Sequence, residues 1–319
     1  MAKHHYVSKF YYKNFVYSKA DPLVYIMNKE GEISNRRRSP RQIGYEADYN
    51  TPEQEQEQGR LETKYSEVLR EFIKNPDPGN SGLSRDLVDF ISFLMGNNVN
   101  TRKKLDEGFS KMELKIKNAL ADHNISIHRG HKGKFDWSEI FADAVFEEFY
   151  SWTIFPCKAN FKETDDKFFI TSDNPVSIFD PENVVTPAPI MTTWRDPRII
   201  SVGDENIPTS DDRLSRGAQV GMTLESVSFG MDVVMVFPAT PSLCLVGFSD
   251  SVRGEKFKEN PKRGLDTLSF MNFITFSHCN REVYSHLDGF LSKTKNDTDN
   301  FLEFCGRKGL TPSIDRAFR

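Results

Sequence analysis

The hydrophobic pattern of the chain changes at residue 152, and no other feature constrains the fold as strongly. Before this point, apolar residues recur at helical spacing, for example at Leu61, Tyr65 and Leu69. After it, they form short uninterrupted runs such as residues 233–237, which are typical of buried β-strands. Because helical and strand-like stretches are segregated along the chain, we expect an α+β fold and not the alternation of a doubly wound sheet.

The same pattern predicts the domain organisation. One α+β domain is expected over residues 1–290, with a C-terminal extension over 291–319. An N-terminal segment of β and aromatic character opens the domain. It is followed by a helical part over 52–150, an antiparallel β-rich part over 152–250 and a long helix over 266–286.

Charge and hydropathy restrict the compartment and the partners. Lys and Arg number 42 against 46 Asp and Glu, a net charge of −4 that argues against a globally basic nucleic-acid-binding surface but allows a local basic site. No stretch approaches the roughly 18 apolar residues of a membrane span, and the N-terminus lacks an apolar signal core. The four cysteines are widely spaced, which indicates reduced thiols. We therefore expect a cytoplasmic protein without a membrane partner.

No standard catalytic or metal-binding signature occurs. The chain has no phosphate-binding glycine loop, no G-x-S-x-G elbow and no H-E-x-x-H pair. His123, His128 and His131 fall in a basic turn without cysteine partners, so no zinc motif and no metal ligand is predicted. The cofactor is left open, with a divalent cation such as Mg²⁺ compatible with the chemistry considered below.

Polar residues on an otherwise apolar helical stripe are more informative. The stripe of Leu87, Ile91 and Leu94 continues at helical spacing into Asn98 and Arg102. An arginine on an inward face requires a partner, because an unpaired buried charge is costly. The alternative is that Arg102 ends the helix, where a cation is favoured by the helix dipole.

Glu62 and Asn272 occupy comparable positions. Glu62 borders the buried face of its helix, although an exposed carboxylate in a first turn is the alternative. Asn272 shares a stripe with Leu268 and Phe276, so its amide is predicted to be buried and fully hydrogen-bonded.

The segment Thr171-Ser172-Asp173-Asn174-Pro175 directly follows a hydrophobic strand. The proline and the short polar side chains predict a turn. Asp173 and Asn174 either cap the amides of this turn or face a cleft.

Taken together, these motifs resemble the domain of unknown function 4238 family over residues 4–286. The family's opening His-Tyr-Val-Pro element resembles His5-Tyr6-Val7, with Ser8 in place of the proline. The other matching elements are the aromatics Phe10, Tyr12 and Phe15, the pair Asp48-Tyr49, a helix bearing Leu61-Glu62, Arg102, Thr171 to Pro175, Phe237 to Pro241, and Asn272. The family has no assigned reaction. Its motifs include the same polar residues that periodicity singles out, which predicts a shared cleft of His5, Glu62, Arg102, Asp173 and Asn174.

A first hypothesis is an enzyme acting on a phosphate-containing substrate, specifically a nuclease-like toxin or defence effector. In it, His5 is the general acid or base with a pKa near neutrality. Arg102 neutralises charge that develops on phosphate. Asp173 and Glu62 orient His5 or hold a divalent ion.

Six further residues are expected to bind the nucleic acid or nucleotide. They are Asn174, Asn98, Asn272, Arg36, Arg37 and Arg38. The arginine run is predicted to contact a phosphate backbone; the alternative is a solvated basic loop.

A second hypothesis is a non-catalytic binding or sensor module whose polar residues form a buried structural network. The first segment is predicted to pack against the strand at Thr171, so that His5 lies near Asp173. An open cleft between these two side chains favours the enzyme, whereas a sealed interior favours the module. A protein partner and the oligomeric state are left open.

Overall fold

The computed structural model has the α+β fold that the sequence predicts. It describes residues 3–76, 85–121, 144–145, 148–149, 152–159, 168–194, 198–202, 218–221, 224–229, 232–250, 254 and 267–317. The three histidines considered above as metal ligands, His123, His128 and His131, lie outside the described residues.

The N-terminal segment is anchored by buried aromatic side chains. Its elements are β1 (Lys3–His5), α1 (Lys9–Tyr12), a 3₁₀ turn at Lys13–Phe15, β2 (Tyr25–Asn28), a 3₁₀ turn at Pro40–Gln42 and β3 (Tyr45–Ala47). The hydroxyl of Tyr11 hydrogen-bonds Oγ1 of Thr171 (2.7 Å), and that of Tyr12 donates to the carbonyl of Ser172 (3.3 Å). The predicted packing of this segment against the strand at Thr171 is therefore confirmed.

Three helices follow, as the apolar periodicity predicts. They are α2 (Pro52–Lys74), α3 (Arg85–Asn97) and α4 (Val99–Ala121). A capping box starts α2: the Thr51 hydroxyl accepts from the N–H of Gln54, whose side chain accepts from the N–H of Thr51. No helix among the described residues has the length and apolarity needed to cross a membrane.

Arg102 lies at the start of a helix and not at its end. The side-chain oxygen of Asn98 accepts the N–H groups of Asn100 (3.0 Å) and Thr101 (3.3 Å), so Asn98 caps a new helix, α4. The helix dipole disfavours a cation at this end. The dipole explanation for Arg102 is therefore wrong, and its side chain must be held by other partners.

The β-rich part is antiparallel throughout its described pairs. Its strands are β4 (Thr153–Lys158), β5 (Thr171–Ser172), β6 (Ser177–Asp180), β7 (Asn183–Pro187), β8 (Met191–Trp194), β9 (Arg198–Val202), β10 (Ala218–Gly221), β11 (Leu224–Ser228), β12 (Val234–Thr240) and β13 (Leu243–Phe248). The largest sheet has the order β4-β13-β12-β6-β7, and the pairs β1-β3, β8-β11 and β9-β10 stand apart from it. β12 and β13 form the predicted antiparallel hairpin around Pro241.

The C-terminal region differs from the expectation of one long helix over 266–286. It contains α5 (Thr267–Ser277), β14 (Glu282–Ser285), α6 (Asp288–Arg307) and α7 (Ile314–Ala317). β14 is the central strand of a second sheet with the order β2-β14-β5. The predicted helix is therefore wrong beyond Ser277, because residues 282–285 are recruited into a sheet by strands that are distant in sequence.

The boundary expected between residues 290 and 291 falls inside α6. Phe301, Cys305 and Ile314 belong to the same apolar cluster as Phe169 and Val236. Residues 291–317 thus contribute apolar side chains to the same core.

Aromatic rings join the layers of the core. The ring of Tyr11 lies 5.5 Å from that of Phe15 and 5.7 Å from that of Phe237 in β12, centroid to centroid. The ring of Phe90 in α3 packs edge-on against the same Phe237 at 6.1 Å. Such pairs stabilise beyond the apolar area they bury.

Asn272 illustrates how a buried amide stabilises this fold. Its Oδ1 accepts the N–H of Ile170 (3.0 Å) and its Nδ2 donates to the carbonyl of Phe168 (2.9 Å). The predicted burial and hydrogen bonding of Asn272 are confirmed. Both ends of the amide are used by the backbone, which favours a structural role over the expected contact with substrate.

We predict that Asn272→Leu lowers the free energy of unfolding by roughly 2–4 kcal/mol, because two backbone groups lose their partner in the interior. Urea unfolding measures this loss. Asn296→Leu, on an exposed position of α6, is the matched control and should change stability by less than about 0.5 kcal/mol. An equal effect of the two substitutions would show that the Asn272 bonds contribute nothing.

Candidate functional site

Asp173 connects two distant parts of the chain. Its carboxylate accepts hydrogen bonds from the backbone N–H groups of Asn280 (2.8 Å) and Arg281 (2.9 Å), and its own N–H donates to the carbonyl of Glu282 (3.1 Å). These bonds hold the turn that leads from α5 into β14. Of the two roles expected for Asp173, it caps a turn, but one that lies 107 residues away in sequence.

Burial governs the ionisation of Asp173. The residue is 1% exposed, and this burial raises the pKa of its carboxyl to about 6, although the hydrogen bonds from Asn280 and Arg281 oppose the shift. The carboxyl therefore exchanges its proton close to neutral pH while both of its oxygens bind the backbone.

Asn174 and Asn98 meet beside a cavity, called the larger cavity below. Nδ2 of Asn98 donates to Oδ1 of Asn174 (3.1 Å), and Nδ2 of Asn174 donates to the carbonyl of His278 (2.9 Å). The two asparagines, which sequence reasoning selected for substrate binding, line the same cavity of about 550 Å³.

This larger cavity combines cationic and amide groups with an apolar wall. Three lysines, Lys29, Lys103 and Lys104, line it together with a single carboxylate, that of Glu107. Its apolar wall is formed by Met95, Val176, Ile178, Val185, Pro187, Ala188, Ile190 and Phe229. A site of this composition suits a ligand with an anionic group and an apolar body.

A smaller cavity of about 260 Å³ is lined in part by Asp173, Arg281 and Glu282. Its charged lining consists of Arg38, Glu46, Asp173, Arg281 and Glu282. The remaining lining residues are Tyr6, Gln42, Ile43, Gly44, Tyr45, Ala47 and Tyr284. Residues 278–280 line the larger cavity and residues 281–282 the smaller one, so one short segment contributes to both linings.

Arg102 is held in a buried network of amides. Its guanidinium donates to Oδ1 of Asn50 (2.8 Å) and to Oδ1 of Asn97, and lies 4.4 Å from the ring centre of Tyr49. Gln58 extends the network: its Oε1 accepts from Nδ2 of Asn50, and its Nε2 donates to Oδ1 of Asn97, both at 2.8 Å. This arrangement matches the buried structural network of the second hypothesis.

His5 does not have the near-neutral pKa that a general acid or base requires. The residue is 9% exposed, and Nε2 has no hydrogen-bond partner among the described residues. Burial, reinforced by the positive charge of Lys9, lowers the pKa of His5 to about 4. The imidazole is therefore neutral at pH 7 and packs against Tyr45. The expectation of a pKa near neutrality is wrong because β1 pairs with β3 and encloses the ring.

Glu62 is half-buried beside the start of α1. Burial raises the pKa of its carboxyl, opposed by a hydrogen bond from Ser8 and by the charge of Lys9. Glu62 thus anchors α1 on α2, and its position on the border of the buried face is as the periodicity predicts.

The arginine run does not form one free basic patch. Arg37 pairs with Asp21 (2.5 Å), and Arg38 pairs with Glu282 (3.1 Å) beside the smaller cavity. Arg36 is exposed. The pairing of two of the three guanidiniums with carboxylates weakens the interpretation of this run as a phosphate-binding surface.

The structure divides the predicted site residues between several places. Asn98 and Asn174 line the larger cavity, and Asp173 and Arg38 line the smaller one. The other six, which line neither of these two cavities, are His5, Glu62, Arg102, Asn272, Arg36 and Arg37. The shared cleft of five residues therefore finds no support in either cavity.

Sequence reasoning missed the lysines of the larger cavity and the tyrosines of the smaller one. Lys103 and Lys104 directly follow Arg102, so the basic run there was a usable signal. Tyr6 directly follows His5 in the sequence, and burial, together with the charge of Asp173, raises the pKa of Tyr6. Of this pair of neighbours, Tyr6 is the one that lines the cavity with Asp173.

We predict that Arg102→Met lowers the free energy of unfolding by roughly 2–4 kcal/mol, because it removes charge-assisted hydrogen bonds from a buried network. Thermal and urea unfolding measure this change. Lys111→Met, at an exposed position of α4, controls for the loss of a positive charge. Unchanged or increased stability of Arg102→Met would contradict the structural role.

We also predict that the His5 imidazole titrates near pH 4 in the folded protein and near 6.5 in urea. Its NMR resonances report both midpoints. Between these values the unfolded state binds a proton that the folded state rejects, so stability falls as the pH decreases from 6.5 to 4, by up to about 3 kcal/mol. His5→Gln should remove this part of the pH dependence. A folded-state midpoint near 7 would instead restore His5 as a candidate acid or base.

Comparison with known proteins identifies the family of the chain. The family model described as "Protein of unknown function (DUF4238)" matches residues 3–189, which include His5, Glu62, Arg102 and the Thr171–Pro175 segment. No curated protein and no solved structure matches the chain. The matched region is more than half of the 319 residues, and the chain therefore belongs to the DUF4238 family.

Proposed function

We propose that the protein is a binding module that takes a phosphate-bearing small molecule, of the nucleotide class, into the larger cavity. The observation that carries this proposal is the lining of that cavity, in which lysines and asparagine amides adjoin an apolar wall. The phosphate-containing ligand is the one expected from the sequence, but the residues that contact it are largely different ones.

The charge of the cavity favours an anion. Lys29, Lys103 and Lys104 face a single carboxylate, Glu107, so the lining carries a net charge of +2, three cations minus one anion. Lysine ammonium groups bind phosphate as strong hydrogen-bond donors. The cavity also adjoins the N-terminus of α4, where the helix dipole adds to the positive potential.

The apolar wall favours a ligand with a flat hydrophobic portion. The cavity is also lined by the apolar side chains of Ile178, Val185 and Phe229. Inorganic phosphate alone leaves this surface exposed, whereas a nucleobase covers it. The amides of Asn98 and Asn174 supply hydrogen-bonding groups of the kind that fix the orientation of a base or sugar.

Binding is favoured over catalysis by the state of the residues expected to be catalytic. The Arg102 guanidinium donates hydrogen bonds to amide oxygens, and the Asp173 carboxylate accepts them from the backbone. The imidazole of His5 is buried and is a weak base. A nuclease-like toxin or defence effector in the cytoplasm stays a prediction, for which these three side chains must reorganise around a substrate.

We predict that AMP binds and that adenosine binds at least roughly tenfold more weakly, because the phosphate makes charge-assisted hydrogen bonds. Isothermal titration calorimetry measures both affinities, with uridine monophosphate and uridine as a second pair. Lys103→Ala combined with Lys104→Ala should weaken AMP by a similar factor, and added salt should do so as well. Lys111→Ala, an exposed lysine of α4 outside the cavity, is the control.

Incubation with total RNA and plasmid DNA, with and without Mg²⁺, separates the two functions. Intact nucleic acid together with bound nucleotide supports the binding module. Equal affinity for AMP and adenosine contradicts it. Cleavage that is lost in His5→Ala but kept in the double lysine variant would support the nuclease and place its active site outside the larger cavity.

A further inference from the structure

We propose that the smaller cavity is a second binding site, which takes a compact organic cation of the alkylammonium class. Nothing in the proposed function of the larger cavity requires it. The proposal depends on the charge of the lining and on its three tyrosines.

The lining carries an excess of negative charge. Arg281 pairs with Glu46 (2.8 Å) and Arg38 pairs with Glu282 (3.1 Å), so four of the five charged groups are mutually compensated. Asp173 is the fifth, and three carboxylates against two guanidiniums leave a net charge of −1. The backbone N–H groups that bind Asp173 satisfy its oxygens but are themselves neutral. A monocation is the complementary ligand.

Aromatic groups make the site suitable for an organic cation. The rings of Tyr6, Tyr45 and Tyr284 belong to the lining, and the negative face of such a ring attracts an ammonium group. The hydroxyl of Tyr284 donates to Glu282 (3.2 Å). Apolar atoms of Ile43 complete a lining that suits the carbon substituents of the cation.

Tyr6 adds a hydroxyl-bearing side chain to the lining. It lines the cavity together with Asp173. A ligand that bears an N–H or O–H group can donate a hydrogen bond to a tyrosine hydroxyl.

Two other ligand classes fit less well. Among the described residues no group of three or more His, Cys, Asp or Glu side chains is arranged to hold a metal ion, so a bare metal cation has no ligand set here. An anion meets a net negative lining in which Arg38 and Arg281 are already paired. The site therefore differs in sign from the lysine-lined cavity across residues 278–282.

We predict that choline binds in this cavity and that 3,3-dimethylbutan-1-ol, its neutral isostere, does not. The two molecules have the same shape and the same hydroxyl group, so the difference between them measures the charge. Calorimetry and thermal shift should show binding of choline alone. Equal binding of both molecules, or binding of neither, would overturn the proposal.

Substitutions within the lining locate the site. Tyr6→Phe and Glu46→Gln should each weaken choline binding roughly tenfold, by removing a hydroxyl group or one negative charge from the lining. Glu67→Gln, an exposed carboxylate of α2 outside the cavity, should leave the affinity unchanged. Asp173→Asn is unsuitable as the primary test, because Asp173 also holds the turn before β14. Choline binding that survives both lining substitutions would place the site elsewhere.

The pH dependence provides a test without substitution. The charged and titratable groups that face the site are Asp173, Arg38, Glu46, Arg281, Glu282, Tyr6, Tyr45 and Tyr284. Because the pKa of Asp173 is about 6, the cavity loses its net negative charge as the pH falls through this value. Choline affinity should decrease correspondingly between pH 7.5 and pH 5. Since AMP binding concerns the other cavity, failure of choline to bind leaves the nucleotide proposal standing.

Discussion

The hydrogen bonds between the Asp173 carboxylate and the backbone of residues 280–281 are the interaction on which the rest of the structure depends. A buried carboxylate is costly unless it is hydrogen-bonded, and here two N–H groups at 2.8 and 2.9 Å satisfy it. These hydrogen bonds hold β14 beside β5, and β14 also pairs with β2 in the same sheet. Asn174, the next residue, fixes the carbonyl of His278. Residues of the same turn contribute to the lining of both cavities.

A common arrangement links the buried polar residues to the cavities. Three of these residues are buried. Asp173 binds the backbone, Arg102 binds amide oxygens and His5 packs against the ring of Tyr45. Their immediate neighbours in sequence, Asn174, Lys103 and Tyr6, line a cavity. At these three places a packed or hydrogen-bonded side chain is therefore followed by a cavity-lining one, and Asp173 itself also lines the smaller cavity.

The sequence predicts those features that depend on local periodicity, and it fails where a distant group intervenes. The segregation of helical and strand-like stretches predicts the α+β class, and the apolar stripe around Asn272 predicts that its side chain is buried. The end of α5 at Ser277 is different: no glycine or proline marks it. The chain leaves the helix where Asp173, more than 100 residues earlier, accepts the next N–H groups. Lys29 and Lys103 likewise line one cavity because of tertiary packing, which local sequence patterns do not predict.

The two cavities have opposite charge, and this has a consequence for Asp173. A cation bound in the smaller cavity favours the ionised carboxylate, because a nearby positive charge lowers the pKa of an acid. Ionised Asp173 is the form that accepts hydrogen bonds most strongly from Asn280 and Arg281. Asn280 lines the larger cavity, and its Oδ1 accepts from Asn100 of α4 at 2.6 Å. If both proposed ligands bind, occupation of the smaller cavity stabilises this wall of the larger one, and by linkage the two ligands favour each other.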